Sequence, residues 1–337
     1  MRPRGASAAI ELLLLIRAGR ISQSIGVVAR LGVADHLTDG PRGADELAAA
    51  VGADPLSLHR LLRMLTEVGV FAEPARGRFA LTPLGALLRS DEDASLRSMA
   101  MLLESPFLRD AWTNLIHTAR TGDPAFDHTH GRHLFEHLGD HPDDAALFDR
   151  AMADVSRQLV ATVVDVYDFG RFRTVVDVGG GNGALLAEIL ARHPGGRGIL
   201  YDRPDVAGRA RELLAAAGLD DRCEVIEGDF FVSVPAGGDA YLLTRVIHDW
   251  DDAPARRILA NCRAVMRPDA RLVLAEAVPR DGTGSLLAKL VDVEMLAIGG
   301  RERTEAEYRD LLAGAGLRLT QVIESDGQQS LIEAVPV

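Results

Sequence analysis

"TVVDVGGGNGALLAEIL", residues 174–190, decides the fold. A β-branched run at 174–178 leads into glycines at 179, 180, 181 and 183, and apolar residues at helical spacing follow from Ala184. Strand, loop and helix in that order make the opening unit of a parallel sheet, and glycines in the loop allow positive φ and close approach of a ligand to the backbone. The spacing is not GxGxxG, since the glycines run G-G-G-N-G into Ala184, and no GK[ST] follows to hold a triphosphate.

The acids around the loop say more than the glycines. Asp177 stands just before it, where a carboxylate repels phosphate and suits an ammonium group. About 25 residues on, the next strand-like run ends "ILYD", which puts Asp202 where it can accept both ribose hydroxyls. The third run ends "VIEGDFF", so Asp229 can take an adenine amino proton and Phe230 offers a flat apolar face. Three acids at the carboxyl ends of three successive strands describe a pocket for a cationic adenosine ligand. S-adenosylmethionine fits it, and a dinucleotide with its pyrophosphate fits worse.

Working outward, apolar runs at 174–178, 198–202, 222–226, 239–247 and 271–275 alternate with helical segments. That rhythm predicts an α/β domain with a parallel sheet covered by helices. The last residues break it: "LRLTQVIES", Asp326–Gly327 and "QQSLIEAVPV" predict an antiparallel C-terminal hairpin. A sheet that ends this way is not the dehydrogenase one.

Upstream, "GADELAAAVGADPLSLHRLLRMLTEVGVFAE" predicts a short helix, a turn at Gly52–Pro55 and a longer helix with Leu58, Leu61, Leu62, Leu65 and Val68 on one face. Two short β-like runs around Arg76–Gly77 complete a winged-helix pattern. A DNA-binding regulator is therefore a rival function, with His59, Arg60 and Arg63 on the reading helix. Glu46, Asp54, Glu67 and Glu73 surround them, however, and a groove-entering helix carries a basic footprint. The net charge of -12 also disfavours binding to a phosphate backbone.

The N-terminal "AAIELLLLIRAGRI" is expected to be too short for a bilayer, is interrupted by Arg17 and Arg20, lacks a leader's cleavage site, and is assigned to a dimer contact. Cys223 and Cys262 read as buried thiols of a reducing compartment, which implies a cytoplasmic protein. The stretch 121–144 reads as a looser segment with histidines at 128, 130, 133, 137 and 141. No HExxH or cysteine partner accompanies them, and solvated loop histidines are the alternative to a metal site.

"LLTRVIHDWDD", residues 242–252, holds the chemistry. His248 is a base, part of a metal cluster, or the polar end of a strand that runs into a helix cap. Asp252 with Pro254 predicts a helix start, so capping outweighs metal binding there. Asp249 is either close to the base or solvated, and Trp250 is expected to wall the cofactor pocket.

Together, "VVDVGGGNG", "GDFF…VP…DAYLLTRVIHDWDD", "LAEAV" and "GGRERTEAEYRDLL" resemble the winged-helix, class I, S-adenosylmethionine-dependent small-molecule O-methyltransferases of the caffeate and acetylserotonin type and of bacterial polyketide tailoring. The resemblance covers nearly the whole chain. It implies a Rossmann-like methyltransferase sheet at 166–337, a helical linker and substrate region at 96–165, and a helical winged-helix dimerisation domain at 1–95. It implies His248 as general base, oriented by Glu276, with Glu302 on its other side. Asp177, Gly179, Gly181, Asp202, Asp229, Phe230, Arg245, Trp250 and Ser156 are the implied cofactor residues. Phe107, Trp112, Phe148, Met152, Asp249 and Met295 are candidates for the acceptor pocket, with core packing as the alternative for the apolar ones. The implied activity is metal-independent methylation of a phenolic or similar hydroxyl on a small aromatic natural product, by a homodimer with no nucleic-acid or membrane partner. Relatives that bind the cofactor without transferring its methyl group supply the alternative within the same fold.

Overall fold

The computed structural model describes residues 7–279, 286–325 and 329–337, together with all side chains among them but those of residues 156–159 and 161. The chain divides into two compact units: Met1–Arg109 with His141–Val155, and Asp110–Asp140 with Ser156–Val337. Residues 96–165 are thus shared between the two.

In the first unit, β1 (Arg42–Gly43), β2 (Phe71–Ala75) and β3 (Arg78–Leu81) form a small antiparallel sheet in the order β1-β3-β2 beside helices Ala44–Val51 and Pro55–Glu67. The second helix starts where the sequence sets it. Asp54 accepts the Ser57 N–H at 2.8 Å, Pro55 occupies the first turn, and Leu58, Leu62 and Leu65 are buried. His59 packs edge-on against Phe79 of the wing, with ring centroids 5.6 Å apart.

The N-terminal expectation needs correcting. Helices Ala8–Ile16 and Ala18–Leu31 meet at Arg17, and the combined 24 residues are long and apolar enough by composition to cross a membrane. The apolar run continues past Arg20 through Val27, Val28 and Leu31, which the shorter sequence window left out. Its second half packs against helix Arg97–Leu103, and Ser22 Oγ donates to Glu104 at 2.5 Å. Its first half leaves Ile10, Leu12, Leu13, Leu15 and Ile16 exposed.

The second unit is built on a seven-stranded sheet of β4 (Thr174–Val178), β5 (Arg197–Asp202), β6 (Cys223–Glu227), β7 (Ala240–Thr244), β8 (Arg271–Glu276), β9 (Leu317–Glu324) and β10 (Ser330–Pro336). The spatial order is β6-β5-β4-β7-β8-β10-β9. Strands β4 to β8 run parallel, and β10 is antiparallel to both its neighbours. The sheet is therefore the Rossmann-like one expected, with its antiparallel C-terminal pair; the Asp326–Gly327 turn lies outside the described residues.

Alternation along the strands buries both faces of the sheet. Val176, Val178, Tyr241, Leu243, Leu272 and Leu274 face one core, with helices Asp252–Val265 and Glu305–Gly314. Val175, Leu242, Val273 and Ala275 face the other, with helix Ala184–Arg192. The chain runs outward from β4 to β6 and then returns to lay β7 on the other side of β4. In open α/β sheets a ligand crevice opens at the carboxyl ends of two such strands. The glycine loop follows β4 and the "HDW" turn follows β7, so the topology itself brings the two motifs together.

Candidate functional site

The loop after β4 is shaped by its acids. Gly181 N–H donates to Asp202 Oδ2 at 2.8 Å, and Arg203 N–H donates to Oδ1 at 2.7 Å. Asp177 is 2% exposed, and burial, with the charge of Asp202, pushes its pKa up to about 7. Burial likewise raises Asp202 to about 6 against those two N–H donors. A buried and a half-buried carboxyl this reluctant to ionise are suited to a cation that would hold them charged. Gly181 has φ 61°, and a Cβ built on it meets nothing within 4 Å. The left-handed backbone and the open space together leave room for a ligand at the peptide edge.

Asp229 uses Oδ1 to accept Phe231 N–H at 2.8 Å, which ties the loop after β6 and leaves Oδ2 for a ligand. Phe230 and Phe231 stand edge-on to Trp250, with centroids 6.2 and 4.7 Å away. Trp250 also stacks on His133, with centroids 4.8 Å apart and planes at 13°, and Phe135 leans on it at 5.4 Å. Neither His133 nor Phe135 was anticipated here. Their segment is not the loose one expected, although His128 and His141 are exposed as solvated histidines would be. Ala125–His130 and Leu134–Asp140 are helices, His117 stacks on His128 at 3.9 Å, and His137 is buried beside Phe126 and His130. Ring stacking and burial occupy these imidazoles. Among the described residues no three His, Cys, Asp or Glu side chains are grouped to hold a metal ion.

His248 sits on a short 3-10 turn, Ile247–Asp249, and is 3% exposed. Its Nδ1 lies 2.9 Å from Glu302 Oε1, and its Nε2 lies 3.4 Å from Asp249 Oδ1. Here the expected role of Glu276 is corrected. Its Oε1 accepts the backbone N–H groups of Val246 at 3.1 Å and Ile247 at 2.8 Å, so it holds the turn, and Glu302 orients the imidazole. The reason is register: Glu276 ends β8 directly beside the backbone that leaves β7, whereas Glu302 comes from the "GGRERT" segment that passes over His248. That passage requires glycine, since a Cβ on Gly300 would stand 2.2 Å from His248 O.

Burial disfavours the charged imidazole, but the charges of Asp249 and Glu276 and the hydrogen bond to Glu302 outweigh it and hold His248 up at about 9. Glu276, buried and close to Glu302, is raised to about 7. Arg245 has φ 52° beside this cluster, and its cation acts on His248, Asp249 and on Glu294 of helix Leu286–Ile298.

Asp252 is not the cap expected. Asp251 occupies the N-cap of helix Asp252–Val265 without a side-chain bond, and the Asp252 carboxylate binds Arg303 at 2.9–3.0 Å because that buried guanidinium needs an anion. Met295 is buried in helix Leu286–Ile298, which packs against the His248 turn, while Trp112 is 38% exposed in the second unit. Phe107, Phe148 and Met152 belong to the first unit, where Phe107 is buried and the other two are half-buried. The side chain of Ser156 lies outside the described residues.

Known proteins match both regions. An O-methyltransferase domain matches residues 112–318, and an O-methyltransferase dimerisation domain matches residues 13–91. The chain is 42% identical to phenazine O-methyltransferase PhzM of Lysobacter antibioticus over 97% of its own length and 96% of that protein. It is 40% identical to O-demethylpuromycin-O-methyltransferase of Streptomyces alboniger, over 97% of this chain and 89% of that one. The structure of the O-methyltransferase NcsB1 from neocarzinostatin biosynthesis, in complex with S-adenosylmethionine and 2-hydroxy-5-methyl naphthoic acid, superposes with a TM-score of 0.81 at 36% identity, covering 94% and 96% of the two chains.

Proposed function

Since the chain belongs to the O-methyltransferase family, with both its methyltransferase and its dimerisation domains, we propose that it methylates a phenolic hydroxyl of a small aromatic natural product, with His248 as the base. Bound S-adenosylmethionine supplies a methyl group on a sulfonium, which an oxygen nucleophile displaces in line. Asp177, Gly179, Gly181, Asp202, Asp229, Phe230 and Trp250 would hold that cofactor, by the donors, acids and aromatic faces they present after β4, β5, β6 and β7.

A phenol of pKa near ~10 is only about one part in a thousand ionised at neutral pH, so its proton needs an acceptor. The geometry at His248 carries this reading. Its Nδ1 faces a carboxylate oxygen of Glu302 at 2.9 Å, and a carboxylate only accepts, so in the unprotonated imidazole, the form that gains ground as pH rises toward the raised value of about 9, Nδ1 bears the hydrogen and Nε2 carries the lone pair. As Nε2 takes the phenolic proton, the imidazolium gains the field of Glu302, Asp249 and Glu276. Burial excludes water, which makes that field stronger than it would be in solvent. Asp249, 3.4 Å from Nε2, lies where it meets the acceptor hydroxyl or a neighbouring substituent. Positioning contributes more than the base, up to ~7–11 kcal/mol by orientation against a ~10²–10⁴-fold effect of proton transfer.

The active form is a homodimer in the cytoplasm, paired through the exposed apolar residues Ile10, Leu12, Leu13, Leu15 and Ile16 of the N-terminal helix. The test is mass spectrometry of the purified protein with labelled methyl donor and a panel of phenolic acceptors. Addition of one methyl group to a hydroxyl supports the assignment, and a hydroxylated or decarboxylated product with the donor left unconsumed would replace it. On any acceptor found, His248→Ala keeps cofactor affinity and loses ~10²–10⁴ in turnover; an unchanged rate removes the base.

A further inference from the structure

We propose that Arg303 is the positioning residue of the base, a buried guanidinium fork that ties both ends of the His248 turn to the strand of chain carrying Glu302. The proposal rests on His248 being the base.

Arg303 is 0% exposed, and a buried guanidinium persists only where its donors are used. Nε and Nη2 donate to Asp252 Oδ1 at 3.0 and 2.9 Å, Nη2 also to Trp250 O at 2.7 Å, and Nη1 to Ile247 O at 3.1 Å. Ile247 and Trp250 flank His248 and Asp249. The two carbonyls bracket the catalytic pair, and one planar group fixes their separation.

The turn has little hold on itself. It has no side-chain cap, and it is entered through Arg245 in the left-handed region at φ 52°, a conformation that is strained for a non-glycine residue. Within itself it has two long backbone bonds, Asp249 N–H to Val246 O and Trp250 N–H to Ile247 O, each 3.3 Å, and shorter restraints come from outside: Glu276 on the N–H groups of Val246 and Ile247, Arg301 N–H on His248 O at 2.8 Å, and Arg303 on the two flanking carbonyls. Arg301 and Arg303 sit on either side of Glu302. The same short segment that grips the backbone thus delivers the carboxylate to Nδ1, and the 2.9 Å contact is set by the grip. A lysine keeps the charge but has a single ammonium and no fork, so it reaches one carbonyl and lets the other go. Asp252 is half-exposed and completes the fork from the solvent side, so it adjusts the clamp without filling the core.

The experiment compares full-length wild type, Arg303→Lys and Asp252→Asn, with any acceptor of the panel that wild type methylates, for example 3-amino-4-hydroxybenzoate. S-adenosylhomocysteine affinity is measured by calorimetry, and the His248 titration by NMR of histidine-labelled protein, assigned with His248→Asn. Arg303→Lys is expected to lose ~10–10² in the kcat reached on the high-pH plateau, where His248 is unprotonated in both proteins, with KM and S-adenosylhomocysteine affinity unchanged, as a small misplacement of a reacting group does. Its His248 titration should move down toward the ordinary imidazole range as the Glu302 contact loosens. Asp252→Asn should move both in the same direction by less. Wild-type kcat in a folded Arg303→Lys protein, or a fall in kcat with the His248 titration unmoved, overturns the clamp. If Arg303→Lys does not fold, Asp252→Asn decides: a lower kcat at unchanged cofactor affinity supports the clamp, and wild-type kcat overturns it. Retained turnover in His248→Ala fails the base assignment instead, and the His248 titration still reads the clamp by itself.

Discussion

The two halves of the site are held in different ways. The half proposed to hold the cofactor, after β4 to β6, rests on shorter-range contacts: a loop that Gly181 shapes, with Asp202 of the next strand accepting its N–H and Asp229 gripping its own turn. The half proposed to supply the base, after β7, rests on long-range partners: Glu276 from β8, and Glu302, Arg301 and Arg303 from a segment more than fifty residues away. A binding surface can be made by local backbone shape, because the ligand brings its own hydrogen-bonding groups. A base needs a fixed direction and a fixed proton, and a three-residue turn supplies neither alone.

That contrast can be broken most severely at Glu302. Glu302→Gln should cost ~10²–10⁴ in kcat, because a neutral amide, able to donate or accept at Nδ1, no longer fixes the hydrogen there and no longer offsets the charge of the imidazolium that forms. Cofactor affinity, which belongs to the other half, should stay at the wild-type value by calorimetry. Loss of both together would mean that the halves are not separable. Gly181→Val attacks from the other side. A β-branched residue at φ 61° is strained by about 1–3 kcal/mol and fills the ligand's space, so cofactor affinity should fall by at least ~10² while the His248 titration stays put.

A smaller effect separates the halves by pH. With Asp177 raised to about 7 and Asp202 to about 6 in the free protein, both must be ionised to hold a cation, so acid competes with the ligand. Affinity for S-adenosylmethionine should be full above the higher of these values and fall, as pH drops through them, by about 10² between pH 7.5 and 5.5. Calorimetry in buffers of different ionisation heat would show proton release on binding; a pH-independent affinity would mean that these acids do not meet the cation. The mildest change is at Glu276, whose Oε1 accepts two backbone N–H groups. Glu276→Gln keeps an oxygen there and should retain most activity, while Glu276→Ala orphans both donors at a cost of about 1–3 kcal/mol in stability and a lower kcat. Equal losses in the two variants would return Glu276 to an electrostatic role.

The loop and acids after β4 to β6 were more legible in the sequence than the supports of the turn after β7, and the contrast explains why. The strand rhythm, the loop after Val178 and the acids at 177, 202 and 229 are each read from a few adjacent positions. His248 was visible because its motif is contiguous, but the exchange of roles between Glu276 and Glu302 was not, since it depends on which backbone each carboxylate meets across the sheet. Arg303 left no local signal: one arginine among many, in a pattern any solvated helix start would show. His133 and Phe135 were hidden because their segment is rich in histidine and glycine, so local propensity suggested loop while packing on Trp250 and Phe126 accompanies helices there. The N-terminal helices were clear as apolar and unclear in extent, because Arg17 marks a break in the helix and not the end of its apolar character.

The central claim is that a buried imidazole, held at about 9 by its carboxylates, takes the acceptor's proton. It is tested most directly by the pH dependence of kcat/KM for methyl transfer in wild type and in Glu302→Gln. The wild-type rate should rise with pH and level near the raised imidazole value, since only the unprotonated form accepts, and the rise should collapse in the variant. A wild-type profile that levels near the ordinary imidazole value, or one that Glu302→Gln leaves in place, contradicts the claim.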